Sequence, residues 1–136
     1  MTVVDASVWV SRFLPGDVHH PASRDWLRGR LATGGLVVAP MLLLPEVSGA
    51  ISRQTGRPDL AQQAVQQITS LKGLRIVPMD RWLGRLAAEL AGDLGLRGAD
   101  AVYVATAHRL SIPLVTWDAE QQKRATGLVL VDTPSP

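Results

Sequence analysis

Cysteine is absent from the 136-residue chain. That excludes a disulfide framework and a thiolate metal site alike, and it accords with a reducing compartment. Lysine is scarce: of the fourteen basic residues, all but Lys72 and Lys123 are Arg. Arg forks match phosphate oxygens in a way Lys does not, although a bias in genome composition enriches Arg equally. Dense basic runs are missing, so a net charge of +2 does not by itself point to nucleic acid. Long hydrophobic runs are missing too. The longest, "LVVAPMLLLP", is too short for a bilayer and carries two prolines. The N-terminus lacks a basic start, and Asp5 interrupts its apolar run, so no secretory leader is expected. There is no repeat, low-complexity segment or linker. The expectation is one domain over residues 1–136, cytoplasmic and without a membrane partner.

What remains is an ordinary globular composition, 46% hydrophobic, in a chain long enough to bury a core without staples. Short β-rich runs alternate with helical patterns. Strands are expected at Thr2–Val4, Leu36–Ala39, Leu74–Val77, Leu114–Thr116 and Leu128–Val131. Helices are expected at Ser7–Leu14, before Pro15-Gly16, and at Pro21–Leu31, before Gly34-Gly35. Met41–Gln54 reads as a helix ended by Gly56, and Asp59–Leu71 repeats Leu60, Ala64, Ile68 and Leu71 at helical spacing. Arg81–Leu94 does the same through Trp82, Leu86, Leu90 and Leu94. Asp100–Leu110 is apolar on nearly every side, as in a buried helix, and Ala119–Arg124 is a short connecting helix. The terminal "TPSP" reads as a frayed tail. Strand–helix alternation, with strands lacking polar alternation, predicts a three-layer α/β/α sandwich around a parallel sheet of five short strands.

In such a sheet every strand ends at one common edge, where ligand sites of open α/β folds lie. Asp5 follows the first strand, and Asp118 follows the fourth in "PLVTWDAE". Glu46 stands early in the helix after the second strand, in "APMLLLPEVSGA". Asp100 opens the helix "ADAVYVATAHRL", whose far end is only Ser111–Pro113 from the fourth strand. So short a connection puts Asp100 at the same edge as the others. Each Asp alone is an ordinary N-cap. Capping does not account for Glu46 among Leu42, Leu43, Leu44 and Val47, nor for the convergence of four acids. Crowded carboxylates repel, and a hard divalent cation, Mg²⁺ or Mn²⁺, relieves the repulsion. This chemistry points to metal-assisted hydrolysis of a phosphodiester.

The motifs "VVDASVWV", "PEVSGA" and "LRGADAVYVATAHRLSIPLVTWD", in this order and spacing, resemble the PIN-domain ribonucleases, specifically the VapC-type toxins of bacterial toxin–antitoxin pairs. The resemblance covers essentially the whole chain. It implies a sheet of order 3-2-1-4-5, with Asp5 and Asp118 on adjacent strands. It implies an acidic quartet of Asp5, Glu46, Asp100 and Asp118 that binds Mg²⁺ or Mn²⁺ and cleaves single-stranded RNA regions. Ser7 and Thr116 match small hydroxyl residues of the same pocket. A homodimer and a cognate antitoxin, with a segment occupying the groove near the acids, are implied as well. Some relatives carry a further acid after the last Asp; here Glu120 is the candidate accessory ligand.

Other residues carry weaker signals. The Ser7 and Thr116 hydroxyls are placed to orient carboxylates, or to bond local backbone. Arg97, in "LRGAD", is placed either to contact phosphate or to lie solvated in its loop. Trp117 is placed to stack on a base or to pack in the core. His19-His20 lacks zinc-site spacing and is expected in a solvated loop. Trp9 and Phe13 share one helical face, turned to the core or to a partner. An aspartyl phosphatase would also use an acid after the first strand, but it wants a second acid two residues on, where Ser7 stands. A catalytically degenerate module that binds RNA or a partner is the remaining alternative, against which all four acids argue. No basic recognition helix supports a DNA-binding regulator.

Overall fold

The structure, a computed structural model, describes residues 1–135. Five strands form one sheet of order β3-β2-β1-β4-β5: β1 (Thr2–Val4), β2 (Val37–Pro40), β3 (Leu74–Val77), β4 (Leu114–Val115) and β5 (Val131–Asp132). Every pairing is parallel. Val3 and Val4 of β1, like Val37, Val38 and Ala39 of β2, are fully buried, as strands covered on both faces require.

Between strands run seven helices: α1 (Ala6–Phe13), α2 (His20–Ala32), α3 (Leu43–Thr55), α4 (Pro58–Thr69), α5 (Arg81–Leu94), α6 (Gly98–Leu110) and α7 (Ala119–Ala125). Right-handed crossovers put α1–α4 on one face and α5–α7 on the other. The contacts agree: α1 packs on α2 and α3, α3 on α4, and α5 on α6. Helix α6 crosses β1, β2 and β4, and its residues Ala101 to Ala107 are buried without a break.

Several boundaries differ from the sequence expectation, each for a local reason. Leu128 and Val129 are not strand: their backbone N–H groups donate to the Ala125 carbonyl, so they wind off the end of α7, and β5 starts at Val131. Helix α6 begins at Gly98, which puts Asp100 inside its first turn and not at its cap. The buried face of α5 is Leu83, Ala87 and Leu90; Trp82 lies off it and is 67% exposed. Trp9 packs wholly in the monomer core, with Phe13 half-buried beside it. The expected frayed tail is held at Pro134, which is buried near Pro21 and Trp26 of α2, while Pro136 lies outside the described residues. Helix α3 ends as the sequence predicts, on Gly56 at φ 69°. No helix among the described residues is long and apolar enough to cross a membrane.

Ala105 sits in the middle of the buried run of α6 with no exposed surface. An Ala105→Leu substitution has no space for its added methyl groups and should lower stability by about 1–3 kcal/mol, read as a shifted urea midpoint at unchanged slope.

Candidate active site

The parallel sheet gathers the expected acids at one edge, and local structure sets each of them. Asp5 leaves β1 and caps α1, its Oδ2 accepting from the Ser7 backbone N–H at 3.0 Å. Its own N–H stays in the ladder, donating to the Val115 carbonyl at 2.9 Å. The side chain is therefore fixed from both sides and only 5% exposed. Asp118 caps α7, its Oδ1 accepting from the Gln121 N–H at 2.8 Å. Glu46 stands in the first turn of α3 and Asp100 in the first turn of α6, where the positive end of the helix dipole favours a carboxylate.

Two hydroxyls tie β1 to β4. The Thr116 hydroxyl donates to Asp5 Oδ2 at 3.1 Å and accepts from the Asp118 N–H at 3.0 Å. Its single proton is thereby used. The Ser7 hydroxyl, 3.3 Å away, must donate to Thr116 Oγ1 while accepting from the Trp117 N–H at 3.0 Å. Ser7 and Thr116 thus orient Asp5 and the turn that carries Asp118.

Burial and mutual repulsion act together on the acids. Asp5 is pushed above the usual carboxylate range chiefly by loss of water; bonds from Ser7 and Thr116 offset this in part, and Asp118 adds repulsion. Burial also raises Glu46, which is repelled by Asp5 and Asp100. Asp100 is raised for the same reason, with Asp118 and Asp5 opposing its charge and Arg97 favouring it. Arg97 is the local counter-charge: Nε donates to Asp100 Oδ2 at 3.0 Å and Nη2 to Asp118 Oδ2 at 2.8 Å. It is 76% exposed, so its fork closes over the acids from the solvent side.

Other residues in the site carried no signal in the sequence. Tyr103, one turn beyond Asp100 on α6, donates its hydroxyl to Glu46 Oε1 at 2.6 Å. Burial and the Glu46 charge hold the phenol above its ordinary range, and so protonated as a donor. Gln121, fully buried, donates Nε2 to the Asp100 carbonyl at 3.1 Å, joining the start of α6 to α7. Tyr103 lies in an apolar run that reads as plain core, and Gln121 in a polar run that reads as solvated surface, so neither setting shows the partner.

The remaining expectations divide. Glu120 is exposed and pairs with Arg124 at 2.8 Å, one turn along α7. Trp117 is half-buried; Nε1 donates to Ser23 Oγ at 2.8 Å. His19 is not a solvated loop residue: its ring stacks on Trp117 with centroids 3.8 Å apart and planes 10° from parallel. His20 opens α2, its Nδ1 2.9 Å from the Ser11 carbonyl oxygen.

The all-oxygen donor set fits a hard divalent cation. As the side chains stand, no three His, Asp or Glu among the described residues close on one point; Arg97 engages two of the four acids instead.

A family model described as the PIN domain matches residues 2–127. No curated protein matches the chain by sequence. Solved structures similar to it include VapC20 of Mycobacterium tuberculosis, a Sarcin-Ricin loop cleaving toxin, at TM-score 0.77 and 22% identity, covering 97% of this chain and 99% of that one. VapBC2 from Rickettsia felis, bound to a promoter DNA fragment, matches at TM-score 0.74 and 13% identity, covering 98% of each chain. A toxin-antitoxin complex from Klebsiella pneumoniae matches at TM-score 0.71 and 18% identity, covering 99% and 98%.

The raised acids fix the sign of one pH effect. A carboxyl with a higher pKa folded than unfolded costs stability once pH rises through the folded value, and nothing below the unfolded value. Asp5→Asn keeps the cap and removes the charge. In chelator at neutral pH the variant should melt above the wild type, with the gap shrinking as pH falls to the ordinary carboxylate range. A variant melting below the wild type at neutral pH would contradict the buried-charge assignment.

Proposed function

The chain belongs to the PIN domain family, and from that premise we propose that it is a metal-dependent endoribonuclease, the toxin of a toxin–antitoxin pair. The observation that carries this reading is the meeting of Asp5, Glu46, Asp100 and Asp118 at one sheet edge, with three of them raised by burial and by one another. Such a cluster is costly as it stands, and a cation relieves it. The similar structures support the toxin role: one is a loop-cleaving toxin and another a toxin-antitoxin complex. We extend the reading to a cognate antitoxin, a homodimer, a cytoplasmic setting and single-stranded RNA as substrate.

Asp5, Glu46, Asp100 and Asp118 would hold Mg²⁺ or Mn²⁺. When bound, the ion supplies an acidified water and a positive charge for the phosphoryl oxygens. The chain's own residues prepare the rest. Ser7 and Thr116 hold Asp5 with one oxygen engaged, and Tyr103 does the same for Glu46. Gln121 keeps the Asp100 and Asp118 segments in register. Arg97, exposed at the rim, can leave the acids for a substrate phosphate. Trp117 borders the site for contact with a base. Glu120 is not needed as a ligand when it is paired with Arg124.

Two outcomes test this. Asp5→Asn should remove cleavage of single-stranded RNA and weaken Mn²⁺ binding in titration calorimetry while the fold survives; full activity, or activity untouched by EDTA, overturns the quartet. Arg97→Gln should tighten Mn²⁺ binding by about 3- to 10-fold, within the range of two exposed ion pairs of about 0.2–1 kcal/mol each, while raising KM for RNA. Weaker Mn²⁺ binding in that variant would show Arg97 to be no competitor for the acids.

A further inference from the structure

Beside the acids lies a groove of about 530 Å³ that begins at Ser7 and Glu46 and runs between α1 and α3 to His19 and Arg53. Its volume falls in the range of about 300–1,000 Å³ that encloses small ligands. Three observations say what fits it.

One wall is aromatic and held in place. Trp117 and His19 both line the groove, already stacked on each other. Trp117 is pinned through Nε1 to Ser23, whose hydroxyl lies 2.6 Å from that of Ser11. A flat ring added to this stack meets a surface that need not reorganise.

The facing wall carries a cation. Glu46, Ala50 and Arg53 line the groove from one face of α3, at helical spacing. Gly49 gives the Arg53 side chain room to lie back along the helix: a Cβ built there would stand 3.0 Å from Arg53 Nη1. Among the described residues Arg53 forms no ion pair. Asp17 is the one opposing acid on the groove besides Glu46.

The groove is also continuous with the acids, because Ser7 and Glu46 belong to both. The acids repel a polyanion, so a substrate strand needs a positive foothold beside them. A stacking wall, an unpaired guanidinium and this continuity together describe a nucleotide.

We propose that this groove seats one unpaired nucleotide of the substrate RNA next to the scissile bond, its base on the His19–Trp117 stack and its phosphate at Arg53. The proposal rests on the ribonuclease reading above. A protein segment would use the apolar Leu42 and Pro45 but would leave the stacked rings and free cation without a specific role.

The test uses full-length protein silenced by Asp5→Asn and short single-stranded oligoribonucleotides carrying one abasic ribose, stepped along the strand. Binding is followed by fluorescence anisotropy across a salt series. One abasic position should weaken binding about 10-fold, the worth of one stacked base. Adding His19→Ala should weaken the intact strand similarly and erase that positional penalty. His19 makes no side-chain cap bond to α2, so no cap is lost. Arg53→Gln should reduce the salt slope by about 0.7, the value of one phosphate contact on a single strand. Gly49→Ala, which crowds the Arg53 guanidinium, should move the slope in the same direction. In active protein, His19→Ala and Arg53→Gln should raise KM more than they lower kcat.

Equal cost at every abasic position, or unchanged binding by His19→Ala, overturns the subsite while wild-type cleavage keeps the ribonuclease reading intact. Unchanged RNA binding with weakened binding of an antitoxin peptide makes the groove a protein-docking site and overturns the proposal. Absence of RNA binding together with absence of wild-type cleavage overturns both.

Discussion

The constraint on which this structure turns is a carboxylate taken almost out of water at the end of a central strand. Asp5 is 5% exposed and yet is placed where other acids repel it. Three hydrogen-bonding groups, the Ser7 N–H and the Ser7 and Thr116 hydroxyls, form the device that makes this bearable. The device is shared between β1 and β4, so it exists only when these strands are neighbours. Strand order and site chemistry are then one requirement.

The strand order also explains why the acids come from such distant segments. Crossovers leave β1 in both directions, toward β2 and β3 on one side and β4 and β5 on the other. The loops on either side of β1 therefore diverge, and a crevice opens where they part. Asp5 lies at that divide, Glu46 arrives from the β2 side and Asp118 from the β4 side. Asp100 comes on α6, the helix that spans the sheet from below. A chain with a net charge of +2 thus concentrates negative charge in one place, with Arg97 and Arg53 at its margins.

Much of this was legible in the sequence. Four of the five strands, all seven helices and the gathering of the acids follow from short apolar runs, helical spacing and connection lengths. The misread strand, Leu128–Val131, is instructive: Val129 is apolar because it closes the core under α7, and a four-residue window cannot separate that from a strand. Trp82 failed in the same way, since α5 is apolar over more of its surface than the core covers. The polar partners were illegible for another reason. Tyr103 meets Glu46 across 57 positions of sequence, and Trp117 meets Ser23 across 94. No local pattern encodes a bond between side chains that only the finished fold brings together. His19 shows the cost: judged against zinc spacing alone it looked idle, although its partner is a ring 98 residues on.

Helix α6 has one further consequence. It carries Asp100 in its first turn and Tyr103 in the unbroken buried stretch that follows. The backbone that positions Asp100 therefore runs directly into one of the most buried stretches of the chain. Displacing Asp100, or the Tyr103 donor of Glu46, by local opening would expose that core stretch as well, so this side of the site is costly to disorder on its own.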